Sequence, residues 1–227
     1  MSKKKKIKTA PKTINVYNLI VLDESGSMYD IKDVTITGFN EIVQTSKALN
    51  KEFKNQNHLI SFYTFNGSGI KQHMDKADAN EVVELNNDTY QPDANTPLYD
   101  ALGKSINELA PFVKKNDKVL VTILTDGYEN ASEEYAIATI NKLIGDKKKE
   151  GWIFNYIGAD HDVETTAMSM NITNFMVFEK HASSTALALK TNTNAKRRWA
   201  ERINNSETSS GEELFYTQAE KEEVKKA

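Results

Sequence analysis

The chain has 227 residues, 39% of them hydrophobic and 27% charged, with a formal net charge of −3, a composition that suits an ordinary globular protein with a sizeable core. It contains no cysteine, so disulfides, thiolate metal sites and cysteine nucleophiles are excluded. No apolar run approaches the roughly 20 residues of a membrane-spanning helix, and the N-terminus lacks the apolar segment of a secretory signal. We therefore expect a cytoplasmic protein without a membrane partner.

The two ends differ in composition from the middle. Residues 1–13 carry six lysines and no acidic residue, and we interpret them as a basic flexible arm. No aromatic residue is interleaved to stack on bases, so nucleic-acid binding is not expected. Residues 204–227 are rich in Glu, Lys, Ser and Thr and are predicted to form a polar, mobile tail, in which only 212–216 is a candidate for local docking.

Over 14–203, strand and helix patterns alternate along the chain. The predicted strands cover 14–22, 59–65, 70–76, 118–124, 152–157 and 174–177. The predicted helices cover 31–54, 96–114, 132–149 and 163–169, and a last one lies within 183–203. The turn Asn66-Gly67-Ser68-Gly69 predicts a hairpin, which makes the third strand antiparallel. The alternation indicates a mainly parallel sheet with helices on both faces.

Oxygen-bearing side chains follow the first predicted strand. Asp23, Ser25 and Ser27 stand at alternate positions directly after the apolar run 16–22. In an extended segment, residues two apart point the same way, so one carboxylate and two hydroxyls can converge at the end of the strand. These are ligands suited to Mg²⁺, Mn²⁺ or Ca²⁺.

Two later segments complete a known pattern. Thr96 precedes Pro97 in a polar loop, and Asp126-Gly127 follows the fourth predicted strand. Asp-x-Ser-x-Ser, a lone Thr and Thr-Asp-Gly in this order resemble the metal-ion-dependent adhesion site of von Willebrand factor type A domains, of the prokaryotic stand-alone type. The resemblance covers about residues 14–200. One departure is Asn95, which stands where the family often has glycine.

The resemblance implies a Rossmann-like, doubly wound α/β fold with six strands in the order 3-2-1-4-5-6. It also implies a divalent cation held by Asp23, Ser25, Ser27, Thr96 and Asp126, with one coordination position left for a partner's carboxylate. We therefore expect no enzyme but a metal-dependent protein-interaction module. Its partner would be a protein that presents a Glu or Asp side chain, and an ATPase motor is one candidate.

Three alternatives remain open in the sequence. Thr96 before Pro97 can be an ordinary helix cap. Asp160-His161-Asp162 can form a second metal site or an acid–base pair, although helix capping explains it more simply. The chain can also be a magnesium-dependent phosphohydrolase that uses Asp23. Against this, Ser25 stands where the Asp-x-Asp pattern of haloacid dehalogenases has its second aspartate, and the sequence has no glycine-rich phosphate loop.

Overall fold

The structure is a computed structural model that describes residues 13–159, 162–207, 211 and 214–227. The strands in chain order are β1 (Ile14–Asp23), β2 (Gln56–Asn66), β3 (Gly69–Asp78), β4 (Lys118–Thr125), β5 (Ile153–Ala159) and β6 (Asn174–Phe178). The helices are α1 (Lys32–Glu52), α2 (Leu98–Leu109), α3 (Ile137–Lys149), α4 (Val163–Ser169), α5 (Ala182–Asn204) and α6 (Gln218–Lys225).

The six strands form one sheet in the order β3-β2-β1-β4-β5-β6. β3 runs antiparallel to β2, while every other neighbouring pair is parallel. The predicted fold class, strand order and hairpin are therefore confirmed. Because β1 and β4 are parallel neighbours, their carboxyl ends meet at one edge of the sheet, where ligands bind in open α/β sheets.

Helices cover both faces of the sheet, and β1 shows why. Its side chains alternate between the two faces, so Val16 and Ile20 pack with α1, α5 and α6, whereas Leu19 and Val21 pack with α2, α3 and α4. We call the layer of α1, α5 and α6 the first layer and the layer of α2, α3 and α4 the second layer. Each layer encloses its own apolar cluster of buried residues. Each cluster contains one tryptophan.

The first layer depends on a close approach of α1 and α5. A Cβ at Gly38 of α1 would overlap the side chain of Leu189 of α5. Glycine therefore lets the two helices meet at a distance that any other residue would prevent.

The bounds of three helices differ from the prediction. A 3-10 turn at Gly26–Ile31 precedes α1, which begins at Lys32, and α2 begins at Leu98 rather than at residue 96. The largest difference is in α3, which begins at Ile137 rather than at residue 132. The backbone N–H groups of Glu133, Glu134 and Tyr135 donate to the carboxylate of Asp100. Because their donors are satisfied by α2, these residues form a loop over that helix instead of a first helical turn.

Part of the segment expected to form a polar tail, residues 214–227, packs against the domain. Phe215, Tyr216 and Val224 are buried in the first layer, and Arg198 of α5 forms two bonds to the Glu220 carboxylate of α6, at 2.8 and 2.9 Å. Thr217 and Glu220 form a capping box that starts α6. The polar average composition of this segment concealed its three buried apolar residues.

The predicted basic arm falls almost wholly on residues 1–12, which lie outside the described residues. None of the helices in the described part of the chain combines the length and the apolar character that crossing a bilayer requires.

Candidate metal centre

The loop after β1 is shaped by the Asp23 carboxylate. Asp23 is the last residue of β1 and is buried. Its Oδ1 accepts the backbone N–H of Ser25 at 2.7 Å, and its Oδ2 accepts the Thr125 hydroxyl from the end of β4 at 2.5 Å. One side chain therefore turns its own loop and fastens it to the neighbouring strand.

The two serines extend this network to Asp126. The hydroxyl oxygens of Ser25 and Ser27 are 3.2 Å apart, and Ser27 Oγ donates to Asp126 Oδ1 at 2.5 Å. Ser25 is buried, and the Asp126 side chain is fully buried. A chain of side-chain hydrogen bonds thus connects the loop after β1 to the loop after β4.

Thr96 joins from a third loop. Its N–H donates to Asn130 Oδ1 at 2.9 Å, and the Asn130 N–H returns to the Thr96 carbonyl at 3.2 Å, so the loops before α2 and after β4 are locked together. Pro97, not Thr96, occupies the N-cap position of α2, which has no side-chain cap bond. The alternative that Thr96 only caps this helix is therefore not supported.

Gly127 locates the point on which these loops converge. A Cβ placed on it would lie 3.0 Å from Thr96 Oγ1, 3.2 Å from Ser27 Oγ and 3.5 Å from Asp23 Oδ2. The absence of a side chain at this position leaves a small space bordered by oxygen atoms from three loops. The structure therefore brings Asp23, Ser25, Ser27, Thr96 and Asp126 together as one cluster.

This donor set fits a hard divalent cation. Its ligands would be carboxylate and hydroxyl oxygens, the chemistry of Mg²⁺, Mn²⁺ and Ca²⁺. Among the described residues, no group of three or more His, Cys, Asp or Glu side chains could hold a metal ion, so nothing there suggests a zinc-type centre. The cluster depends on hydroxyls for most of its donors and carries two carboxylates.

The charges of the cluster are closely spaced. Burial raises the pKa of Asp23 to about 6, hydrogen bonds from Thr125 and Ser25 oppose this rise, and the negative charge of Asp126 adds to it. A positive group is nearby, since Lys180 Nζ lies 2.8 Å from Asp126 Oδ2. No sequence pattern pointed to this lysine, because it lies far along the chain from every part of the motif.

Three further residues support the site from behind. The Tyr90 hydroxyl donates to the Asp23 carbonyl at 2.6 Å. The Glu129 carboxylate accepts the Tyr99 N–H from α2 and two N–H groups of its own loop. Thr125, which orients Asp23, directly precedes the motif aspartate. The sequence contains a signal for Tyr90, since it is the one aromatic residue of the polar loop 86–95.

In the segment Asp160-His161-Asp162, the first two residues lie outside the described residues. Asp162 is at the N-cap of α4 but makes no side-chain cap bond; its Oδ2 accepts the Tyr128 hydroxyl at 3.1 Å. Asp162 therefore holds Tyr128 beside the cluster.

Comparison with known proteins identifies the fold. No protein-family model matches the sequence, and a search of curated proteins finds no match. Solved structures do match: a von Willebrand factor type A protein from Catenulispora acidiphila aligns with a TM-score of 0.52 at 12% identity over 80% of this chain. The vWF domain of the type V pili tip protein Mfa5 from Porphyromonas gingivalis aligns with a TM-score of 0.56 at 11% identity over 87% of this chain.

The chain has the von Willebrand factor type A fold. A third similar structure, with a TM-score of 0.51 and 13% identity over 80% of this chain, is the manganese-loaded TRAP protein from Plasmodium vivax. The chain spans 42% of the Catenulispora protein, 98% of the Mfa5 domain and 73% of the TRAP chain. At these identities the likeness extends to the type A fold and no further.

Proposed function

We propose that this protein is a metal-dependent protein-interaction module. It would hold a divalent cation through Asp23, Ser25, Ser27, Thr96 and Asp126 and bind a partner's Glu or Asp side chain at that cation. The observation that carries the proposal is the set of oxygen atoms from three loops around the space beside Gly127. Similar folds are found in a pilus tip protein and in a manganese-loaded protein, which supports the proposal by analogy.

The charge balance of the cluster favours an anionic partner. A bound dication would supply an electrophilic centre with an exchangeable position. Asp23 and Asp126 together contribute two negative charges, while Ser25, Ser27 and Thr96 contribute none. A cation held mostly by neutral hydroxyls keeps its electrophilic character, so it can take a carboxylate of another protein as a further ligand.

The surroundings of the cluster suit a protein partner. Tyr29 lies two residues beyond Ser27 and Tyr128 lies two residues beyond Asp126, and both rings are exposed. Tyrosine is enriched at protein interfaces because it offers a large contact area at a low cost in conformational entropy. We propose that these two rings select which partner fits. The expectation that it is an ATPase motor stays a prediction.

Metal binding is tested by thermal unfolding of the wild type and Asp126→Ala. A cation at a hundredfold excess over Kd stabilises the native state by about 2.7 kcal/mol. We expect Mg²⁺ or Mn²⁺ to raise the melting temperature of the wild type over that in chelator. Asp126→Ala should fold and show no such rise. A wild type whose melting temperature is indifferent to Mg²⁺, Mn²⁺ and Ca²⁺, and which binds none of them by calorimetry, contradicts the proposal.

The partner is tested by affinity capture from native lysate with immobilised wild type and Ser27→Ala. Binding should require divalent cation and disappear both with chelator and in Ser27→Ala. Once the captured protein is identified, changing its contacting Glu or Asp to the amide should also abolish binding. A partner whose affinity is unchanged by chelator, by Ser27→Ala and by its own amide substitution would bind at another surface.

The alternative, a magnesium-dependent phosphohydrolase, is less well supported. A nucleophilic aspartate must reach a phosphorus atom, but Asp23 is fully buried and its two oxygens accept bonds from Ser25 and Thr125. Asp23 is thus better placed to orient the loops and to ligate a cation than to attack a substrate.

A further inference from the structure

Lys180 contacts the candidate metal centre from outside the motif. It lies in the loop between β6 and α5, and its Nζ is 2.8 Å from Asp126 Oδ2. The Asp126 side chain is 0% exposed and that of Lys180 is 28% exposed. The ion pair is therefore mostly withdrawn from water, where the attraction between opposite charges is stronger than at an open surface.

Both oxygens of the Asp126 carboxylate are engaged. Oδ1 accepts the Ser27 hydroxyl at 2.5 Å, and Oδ2 faces the Lys180 ammonium. A cation that approached Asp126 would meet an oxygen already neutralised by a positive charge, and it would be repelled by that charge. The ammonium and a divalent cation would therefore compete for the negative charge of Asp126.

The backbone next to Lys180 is fixed by hydrogen bonds that begin at Glu179. The Glu179 N–H donates to Ser184 Oγ at 3.0 Å, and the Ser184 hydroxyl donates to the Val224 carbonyl in α6 at 3.3 Å. The loop is therefore attached to α5 and α6. Only the Lys180 side chain has to move when the ion pair breaks, and its exposed fraction gives it a path to solvent.

We propose that Lys180 is a built-in competitor of the metal ion. Its ammonium neutralises Asp126 until a divalent cation displaces it, so the lysine lowers the affinity of the site and stabilises the metal-free fold. The proposal rests on the proposed function, since it assumes that the cluster binds a cation.

The test is isothermal titration of Mn²⁺ into the wild type and three variants. Lys180→Met removes the charge and keeps the aliphatic stem, and it should bind Mn²⁺ roughly tenfold more tightly than the wild type. Lys180→Arg keeps the charge and should bind about as weakly as the wild type. Lys190→Met, which removes an exposed lysine of α5, is the matched control and should leave the Kd within about twofold.

Thermal unfolding gives an independent measurement. In chelator, Lys180→Met should melt below the wild type, because Asp126 is left as a buried carboxylate without its cation. In saturating Mn²⁺ the two should melt at similar temperatures. If Lys180→Met is poorly folded, Lys180→Gln supplies the same comparison.

Each outcome decides the proposal. Tighter binding by Lys180→Met but not by Lys180→Arg supports it, as does Mn²⁺ binding by Lys180→Met alone. Equal affinities of Lys180→Met and the wild type overturn the competitor role and leave the metal site standing. If Lys180→Arg binds as tightly as Lys180→Met, charge is not the cause and the proposal fails. If neither the wild type nor Lys180→Met binds a cation, this inference and the proposed function both fail.

Discussion

Lys196 Nζ donates to Ser46 Oγ at 2.5 Å in the buried interface between α5 and α1. The Ser46 hydroxyl in turn donates to the Ile42 carbonyl. The hydrogen-bond partner of the buried ammonium is thus a neutral hydroxyl and not a carboxylate. Burial lowers the pKa of Lys196 to about 7. Such an arrangement stabilises the fold less than an apolar side chain of the same length would.

We predict that Lys196→Met stabilises the protein by about 1–4 kcal/mol at pH 7. The folded pKa is about 7 and the unfolded value is 10.5, so the unfolded chain binds more protons between these limits. The Lys196 contribution to the free energy of unfolding therefore rises as the pH increases from 7 towards 10. The advantage of Lys196→Met should be largest at pH 7 and nearly vanish near pH 10.

Urea unfolding at several pH values measures this difference. Lys190→Met is the control, because it removes an exposed lysine from the same helix and should change stability by less than about 0.5 kcal/mol. An advantage of Lys196→Met that does not shrink with rising pH would contradict the assignment of a lowered pKa.

A second prediction concerns the C-terminal segment. Phe215→Ala should cost about 3–5 kcal/mol, the usual penalty for truncating a buried phenylalanine, because Phe215 is 2% exposed within the first apolar layer. Leu214→Ala is the matched neighbour, since Leu214 is 71% exposed, and should change stability by about 0.5 kcal/mol or less. Equal effects in denaturant unfolding would mean that the segment does not pack as described.

A third prediction uses the space beside Gly127. Gly127→Ala places a methyl group 3.0 Å from Thr96 Oγ1 and 3.2 Å from Ser27 Oγ, where we expect the cation to bind. The φ angle of Gly127 is not in the left-handed region, so the fold should tolerate alanine. Mn²⁺ binding by calorimetry should fall by more than about tenfold.

Gly26→Ala is the control for this variant. Its methyl group would meet the Ala94 backbone at 3.6 Å, an ordinary contact in the adjoining loop, so it should retain Mn²⁺ affinity. Unchanged affinity in Gly127→Ala would place the metal away from the three loops.

A fourth prediction concerns catalysis. Because Asp23 is buried and fully hydrogen-bonded, we expect no turnover of nucleotides or of an aryl phosphate in the presence of Mg²⁺. Product release measured for wild type and Asp23→Asn tests this. Robust hydrolysis that disappears in Asp23→Asn would replace the binding module with a phosphohydrolase.

The sequence predicted the sheet because central strands such as β1 and β4 are buried on both faces and therefore read as continuous apolar runs. The order of the strands came from the resemblance rather than from periodicity. The convergence of Ser27 and Asp126 was also predictable, since the parallel strands β1 and β4 end at one edge of the sheet, whereas the place of Thr96 came from the resemblance. That they bind a cation stays a prediction.

The remaining features depend on contacts between distant residues. Lys180 reaches Asp126 because β6 and β4 end on the same side of the sheet, and α6 is held by the Arg198–Glu220 ion pair and by the burial of Val224. The later start of α3 has a similar cause, because the Asp100 carboxylate of α2 accepts the N–H groups of residues 133–135 in the loop before it. Local propensity contains none of this information.

The sheet separates the two tryptophans of the chain. Trp199 is buried in the layer of α1, α5 and α6, and Trp152 in the layer of α2, α3 and α4. Each indole is therefore a fluorophore enclosed in one half of the molecule. Trp152→Phe and Trp199→Phe turn the intrinsic emission into two single-site optical probes, and their denaturation curves report whether both halves lose structure in one cooperative transition.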